Sequence, residues 1–567
     1  MQATDEGICS ALGQEEIPVS DCDGLAKEKV EQSSRLDIPP FNCDTDQIGG
    51  CDDRIVHVLG IEALSPSFSL LDSLRSEGFE ASMVMASLGE IQNEFLSPYS
   101  WPLWIKAVRL WGPFMASTFA AYAAGAYALA SEPLRQQWHI SDVVYNIGIT
   151  IFVLGFGFAP MILAPVSEAY GRYWVFVGSG VTFWLGTLGC AITSNFGGML
   201  ISRLVAGSGA SVFATLTGGV VGDLFRKEDR NTPMALYSLS IMAGTGLGPL
   251  ISGIVVDRLS WRWVFFVQLI TIGVTTITIA IFFTETRSNV LLQRKCNALN
   301  KACQNVVLTA STSLPEPSPR LRLYFQPRTE ETRKVGLSLI WRSFALPLKL
   351  LVTESVVFWF SVWVSFAWAI LYMQFSSIGI VFTDVYGFSS TRVGTVYISV
   401  IIGSVLGTLL AILQEPITRR IRQRKSAHSS PEERLLPPSL QSVLLPAGLF
   451  WFGWTARSSI SWISPAIALG SCTVGIFSIY LAVFNYFVDT YHQYASSALA
   501  AQSMCRNLLA GTFPLFTGAM LKNLTYKGAG SLLGGLGLVL TIIPWLLMVY
   551  GRAIRTRSPF AGVLAES

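Results

Sequence analysis

Two arginines and two carboxylates carry most of the chemistry this sequence could perform. Arg203 and Arg506 sit inside long apolar stretches. A charge at bilayer depth is costly, so each should face a helix-bundle interior, find a partner and serve a function. Glu354 lies at the start of another apolar stretch, Asp384 near its far side, and Asp489 at the end of a third. A proton carrier needs a carboxylate or imidazole whose pKa changes between states. Glu354 is the first candidate for that role and Asp384 the second, and no carboxylate sits clearly at mid-depth. Other chemistry is not visible. The nine cysteines form no CxxC pair, and no metal site is expected. No nucleophile–base pair or phosphate loop stands out, and the glycines of 244–248 lie in an apolar stretch, not after a strand. The residues point away from an enzyme, a cofactor site and nucleic-acid binding.

The elements that must position these groups follow from composition. Of 567 residues, 51% are hydrophobic and 14% charged, and mean hydropathy is +0.47. Average soluble domains carry about 25% charge, so a soluble enzyme, a disordered chain and a disulfide scaffold are excluded. A span needs about 20 apolar residues. Twelve such runs are legible: 108–131, 143–163, 174–193, 197–221, 233–256 and 261–283, then 350–373, 393–413, 441–458, 464–488, 496–521 and 528–550. The expected fold is therefore an all-α polytopic membrane protein of two six-helix pseudo-repeats, 108–283 and 350–551. A polar, basic central loop (284–349) separates them.

Charge gives the orientation. Residues 1–107 hold 19 Asp+Glu and 6 Lys+Arg, so this tail carries −13 and the remainder +16. The tail lacks sustained periodicity and is read as a mostly disordered cytosolic segment without a cleaved signal. With the N-terminus inside, cytosolic segments hold 31 of the 40 Lys+Arg and outer loops 7. Both termini, including the short tail 552–567, are then cytosolic. One sequon, at Asn523, falls in a very short outer loop.

Several clusters have a physical reading of their own. At the turn between spans 2 and 3, Gly171 permits an unusual backbone, Glu168 can face the positive end of a neighbouring helix, and Arg172 can pair with Asp223. Such contacts would latch one state of a rocking bundle. On span 5, Gly244, Gly248 and Gly253 let helices approach closely, and Pro249 can bend the helix. By themselves these say only that two helices pack tightly.

Together the clusters resemble the major facilitator superfamily, and within it the fungal twelve-span drug:proton antiporters. Residues 152–172, which end Pro165-Val-Ser167-Glu168-Ala-Tyr170-Gly171-Arg172, resemble that family's signature, with Ala159 for a Gly and Tyr173 for a second Arg. Arg203–Gly207, Gly218–Arg230 and the Pro446–Thr455 segment are similar to further family segments. So is Gly244–Gly253, in which Ser252 stands for a Gly. The resemblance covers residues 95–561 and not the tail. It implies an exporter of amphipathic small molecules such as drugs, toxins or secondary metabolites, driven by a proton gradient and using no cofactor. It also implies a role for Arg203, with Arg506, in proton coupling and conformational change. The substrate cavity is expected among Tyr122, Tyr127, Asn146, Trp363, Gln374, Tyr480, Asn485, Gln502 and Asn507. The expected partners are a small-molecule substrate and the lipid bilayer, the chain acting as a monomer. The expected location is the plasma membrane, with the vacuolar membrane as the alternative. Two other functions stay open: transport of a physiological solute such as a polyamine or organic acid, and a non-transporting sensor on a transporter fold.

Overall fold

The computed structural model describes residues 56–61, 97–226, 229–310, 322–327, 337–424, 435–491 and 495–556. Most of these residues are helical. The first half contains α1 (Leu103–Ala126), α2 (Asp142–Tyr170), α3 (Arg172–Ile192), α4 (Phe196–Leu224), α5 (Asn231–Arg258) and α6 (Arg262–Phe282). The second contains α7 (Ser355–Tyr386), α8 (Ile398–Arg424), α9 (Leu444–Thr455) and α10 (Ile463–Tyr491). Then comes one helical run, Ala495–Thr556, broken at Thr525 (φ 60°, ψ 166°) into α11 (495–524) and α12 (526–556).

Each of the twelve expected spans falls on one of these helices. Nine described helices are long and apolar enough to cross a membrane, and one of them, Ser497–Gly551, carries both α11 and α12. The two outside that group are the more polar α1 and the short α9, which the helix Leu436–Ser442 precedes. Lipid exposure is visible on α6. Ile270, Val274, Ile277 and Ile281 form a stripe at helical spacing and are each more than 60% exposed. Gln268, Ile272, Thr275 and Ile279 are buried on its other face. An apolar stripe of this kind, left outside the core, fits a hydrocarbon environment.

Helix ends are set by local chemistry. Asn195 Oδ1 accepts from the Gly198 amide at 2.6 Å and starts α4. α7 stops at Gly387 (φ 64°), where the Gly387 and Phe388 amides donate to the Thr383 and Phe382 carbonyls at 3.0 and 3.1 Å. This is a glycine-terminated helix stop, and it lies in the Tyr386–Ser389 segment.

Several boundaries differ from the sequence reading. α7 begins at Ser355 and runs to Tyr386, not 350–373, because Glu354 is extended (φ −101°, ψ 105°) and breaks the helix there. The central segment holds two helices, Ser288–Ala310 and Leu337–Thr353. The first buries Leu292, Cys296 and Leu299 along one face. Two strands, Val56–Ile61 and Arg322–Pro327, pair in a small sheet. Neither Ser288–Ala310 nor these strands were expected, because no strong apolar period marks them; Leu337–Thr353 does carry an amphipathic pattern, and it runs into the 350–373 stretch expected as one span. The rest of the acidic tail before residue 97, the basic residue Lys425 and the C-terminal 557–567 lie outside the described residues.

Candidate functional site

The turn from α2 to α3 is built around a buried carboxylate. Glu285, 4% exposed, follows α6. Its Oε1 accepts from the Arg172 amide at 3.0 Å and its Oε2 from the Tyr173 amide at 3.3 Å, at the start of α3. The Thr286 and Arg287 amides also donate to Oε1, at 3.0 and 2.8 Å. A carboxylate against unsatisfied helix-start amides is strongly favourable. Gly171 adopts φ 100°, ψ 160°, a region that only glycine enters readily, and a Cβ there would overlap Glu285 Oε2. Glu285 is the carboxylate on the start of α3, and Glu168 lies half-buried near the end of α2.

Beside this turn, Arg172 Nε contacts Asp223 Oδ2 at 3.2 Å, and Arg287 Nη1 contacts Asp223 Oδ1 at 3.4 Å. Arg172 Nη1 also donates to Ser167 Oγ at 2.8 Å. The cluster thus joins the ends of α2, α3, α4 and α6. Arg287 supplies a second cation to Asp223 although Tyr173 stands where a second Arg was expected. The Tyr173 hydroxyl instead donates to the Ala280 carbonyl at 3.0 Å. Sequence reading named Arg172 and Asp223 but missed the parts of Glu285 and Arg287, which are 113 or more positions beyond Arg172 and came with no contact signal.

Arg203 on α4 is fully enclosed, at 1% exposure. Its Nε donates to the Gly148 carbonyl at 3.1 Å and Nη1 to the Ala123 carbonyl at 3.3 Å. The guanidinium lies 4.1 Å from the Tyr127 ring centroid and 4.5 Å from that of Phe152. Its partners are therefore backbone carbonyls of α1 and α2 and the rings of Phe152 on α2 and of Tyr127 just after α1, the arrangement that lets a charge persist in a dry interior. Tyr127 stacks on Tyr145 at 4.4 Å, and the Tyr145 hydroxyl donates to the Tyr127 carbonyl.

Arg506 on α11 is 3% exposed and sits 4.3 Å from the Trp368 ring and 5.3 Å from the Tyr480 ring. Its Nη2 donates to Ser503 Oγ at 3.4 Å, while its Nε has no protein partner. Glu354 is 2% exposed at the start of α7 and accepts from the Tyr491 hydroxyl at 3.2 Å. Asp384 is exposed near the other end of α7 and accepts from the Tyr526 hydroxyl at 3.4 Å.

The glycine stripe of α5 packs in two directions. Cβ atoms at Gly244 and Gly248 would overlap the Thr118 and Tyr122 carbonyls of α1. A Cβ at Gly253 would come within 2.6 Å of the Ser390 carbonyl, at the start of the short helix Ser390–Val396 that leads into α8. Pro249 lies against Gly125 of α1, and its carbonyl against Gly394. The stripe therefore joins α5 to both halves of the chain. At the end of α5, Asp257 Oδ2 accepts from the Thr391 amide at 2.8 Å. This contact was not expected, since a lone Asp at a span end has no distinguishing pattern. The halves also meet where Asn146 Nδ2 donates to the Pro514 carbonyl at 2.9 Å and Thr150 Oγ1 to the Gly511 carbonyl at 2.7 Å. These contacts lie away from the Arg172–Asp223 end.

Between the halves, reaching the Arg172–Asp223 cluster, lies a cavity of about 660 Å³. α2, α4, α10 and α11 wall it, and Glu168, Arg172, Asp223, Arg287, Tyr480, Gln502, Ser503 and Arg506 are among its lining residues. Of the residues expected along a cavity, Tyr480 and Gln502 line this one. Asn485 lines a smaller space of about 80 Å³ beside Asn231 and Gln441. Tyr122, Tyr127, Trp363, Gln374 and Asn507 are buried in helix contacts instead, and Asn146 bridges α2 to α11. The reason is the helix face they occupy: Asn507 follows cavity-lining Arg506 but donates to the Phe156 carbonyl at 3.4 Å. Trp363, for example, stacks on Phe360 at 5.9 Å. Asn523 is exposed two residues before the Thr525 break. Among the described residues no group of three or more His, Cys, Asp or Glu side chains could hold a metal ion.

Comparison with known proteins agrees with this architecture. The sequence model of the Major Facilitator Superfamily matches residues 114–514. The efflux pump FUBT of Fusarium oxysporum is 31% identical, over 84% of this chain and 77% of that protein. The efflux pump radE of Floropilus chiversii is 33% identical over 73% and 74%. Fluconazole resistance protein 1 of Saccharomyces cerevisiae is 30% identical over 82% and 83%. Among solved structures, the xylose transporter XylE of E. coli, in a partially occluded inward-open conformation, has a TM-score of 0.53 at 14% identity, covering 78% of this chain and 98% of that one.

Proposed function

The chain belongs to the Major Facilitator Superfamily, and from that premise we propose that it exports amphipathic small molecules by proton antiport. It is a membrane-spanning transporter of the drug-efflux type and not an enzyme. The observation that carries the export reading is the relation to proteins named for efflux and for fluconazole resistance. The cavity supports it: about 660 Å³ is room for a drug-sized molecule, and its wall sets aromatic rings such as Tyr480 and Phe484 beside polar and charged side chains.

In this reading the cavity faces the cytosol. The Arg172–Asp223–Arg287 cluster lies at that side, and the α5–α8 and α2–α11 contacts close the outer side. The two halves then rock about the bound molecule. Protonation of Glu354 would weaken the bond it accepts from Tyr491, one of the contacts between α7 and α10. Arg203 holds α1, α2 and α4 as one body during that motion. The proton gradient is the energy source, and the plasma membrane is the proposed location, with both termini cytosolic.

The test is accumulation of a fluorescent amphipathic dye in a yeast host stripped of its own pumps. Expression should lower the steady-state dye several-fold, and Glu354→Gln should abolish the difference while the protein still reaches the membrane. Equal dye content with and without the protein, across a chemically varied panel, would remove the export reading.

A further inference from the structure

We infer that the export substrate carries a carboxylate or similar anion, bound by the side of the Arg506 guanidinium that bears Nε. The inference rests on the cavity being the substrate site and names the class of molecule that site takes.

The argument begins with unsatisfied donors. Arg506 Nε and Gln502 Nε2 are buried nitrogens with no protein acceptor, and both residues line the cavity. Leaving a buried donor unpaired is costly, and for a charged group more so. Arg506 is itself 3% exposed, and none of the ion pairs among the described residues involves it. One face of its guanidinium is covered by Trp368. Stacking of this kind leaves the edge free to donate. Nε and Nη2 share that edge, and among the described residues the acceptor on it is Ser503 Oγ, at 3.4 Å from Nη2. A carboxylate would take both nitrogens in the two-pronged geometry guanidinium favours and displace that long contact. Gln502 Nε2 offers a further donor from the same helix.

The rest of the wall agrees with an anion. The lining holds Arg172, Arg226, Arg230, Arg287 and Arg506 against Glu168, Asp223 and Asp489. Asp223 is already held by Arg172 and Arg287. An excess of cations in a low-dielectric cleft concentrates anions there. Tyr480 and Phe484 line the same space and supply apolar surface for a flat hydrophobic body. The class is therefore an aromatic or otherwise hydrophobic acid.

A matched set of probes tests this: 1-naphthoate, its neutral methyl ester and the cationic 1-naphthylmethylamine. Binding to the purified full-length protein is measured by calorimetry. Counterflow in proteoliposomes, which needs no proton gradient, is measured in parallel. Wild type should bind the acid about tenfold or more tighter than the ester, and the amine weakest. Arg506→Gln should bring the acid-to-ester ratio close to one. Arg506→Lys and Gln502→Leu should each reduce it partially, and they serve if the Gln variant does not fold. Equal affinity for acid and ester, preference for the amine, or a ratio unmoved in the folded variants would overturn the inference while leaving an exporter of other molecules. Ester or amine counterflow without any acid counterflow would have the same meaning. No binding or counterflow of any probe by folded protein would overturn it together with the assignment of the cavity.

Discussion

At the residue scale, buried charge is managed in two ways. Asp223 is held between two arginines, whereas Arg203 leans on rings and carbonyls and Arg506 on rings and a serine hydroxyl. The first arrangement predicts non-additivity. Because Asp223 takes one cation on each oxygen, Arg172→Ala and Arg287→Ala should each slow transport. The double variant should be no slower than Asp223→Asn, since each of these removes both ion pairs to Asp223. Initial flux rates normalised to protein in the membrane give the comparison, and a double variant that multiplies the single losses would show that the arginines act separately. The second arrangement predicts that Arg203→Lys is not conservative. Lysine keeps the charge but loses the planar fit between Tyr127 and Phe152 and the paired carbonyl bonds, so transport should fall close to the level of Arg203→Ala. Flux in Arg203→Lys near wild type would mean that charge alone suffices there. Both arginines were legible in the sequence because a cation in an apolar run stands out. Glu285 and Asp257 were not, because their importance comes from partners distant in sequence, and neither residue type nor spacing announces such a contact.

At the scale of elements, glycine marks the places where helices must touch or the chain must turn. Gly171→Ala should destabilise the protein by about 1–3 kcal/mol, because alanine resists that backbone conformation and its Cβ would meet Glu285. Thermal unfolding in detergent reads this, and an unchanged midpoint would contradict the turn described. Gly248→Leu should push α5 from α1, whose Tyr122 carbonyl it touches. The expected result is a folded protein with little flux and with faster labelling of a cysteine placed at Asp257. Unchanged labelling would separate the stripe from closure of this end. The spans themselves were readable from hydropathy alone, to within a few residues at most ends. The largest displacement was at α7, where Glu354 and Gly387 fix the ends by dihedral angle rather than by polarity. The helix Ser288–Ala310 escaped notice because its buried face is a single narrow stripe in a polar segment.

At the scale of the molecule, charge is segregated. The acidic tail carries −13 and the membrane portion +16, with the positive excess concentrated in the loops assigned to one side. The tail lies outside the family match, which begins at residue 114. Removal of residues 1–94 should therefore leave transport rates within about twofold of wild type. A loss of flux at normal membrane content would place the tail in the transport cycle. The cavity, unlike the spans, was only partly legible. Polar and aromatic residues were expected along it wherever a span offered them, but which of them face the open space depends on which helix faces pack on one another. Tyr480 and Gln502 line the open space, whereas Trp363, stacked on Phe360, and Gln374 are enclosed among helices.

The central claim is that a proton gradient drives export through this cavity. Its most direct test uses proteoliposomes holding an acidic lumen, with 1-naphthoate and an amphipathic dye supplied outside and uptake followed over time. Molecules entering through the Arg172–Asp223 end should accumulate in the lumen above the outside concentration. A protonophore should collapse that accumulation, and Glu354→Gln should prevent it. Uptake that stops at equal concentrations, or that is indifferent to the protonophore, would contradict the account.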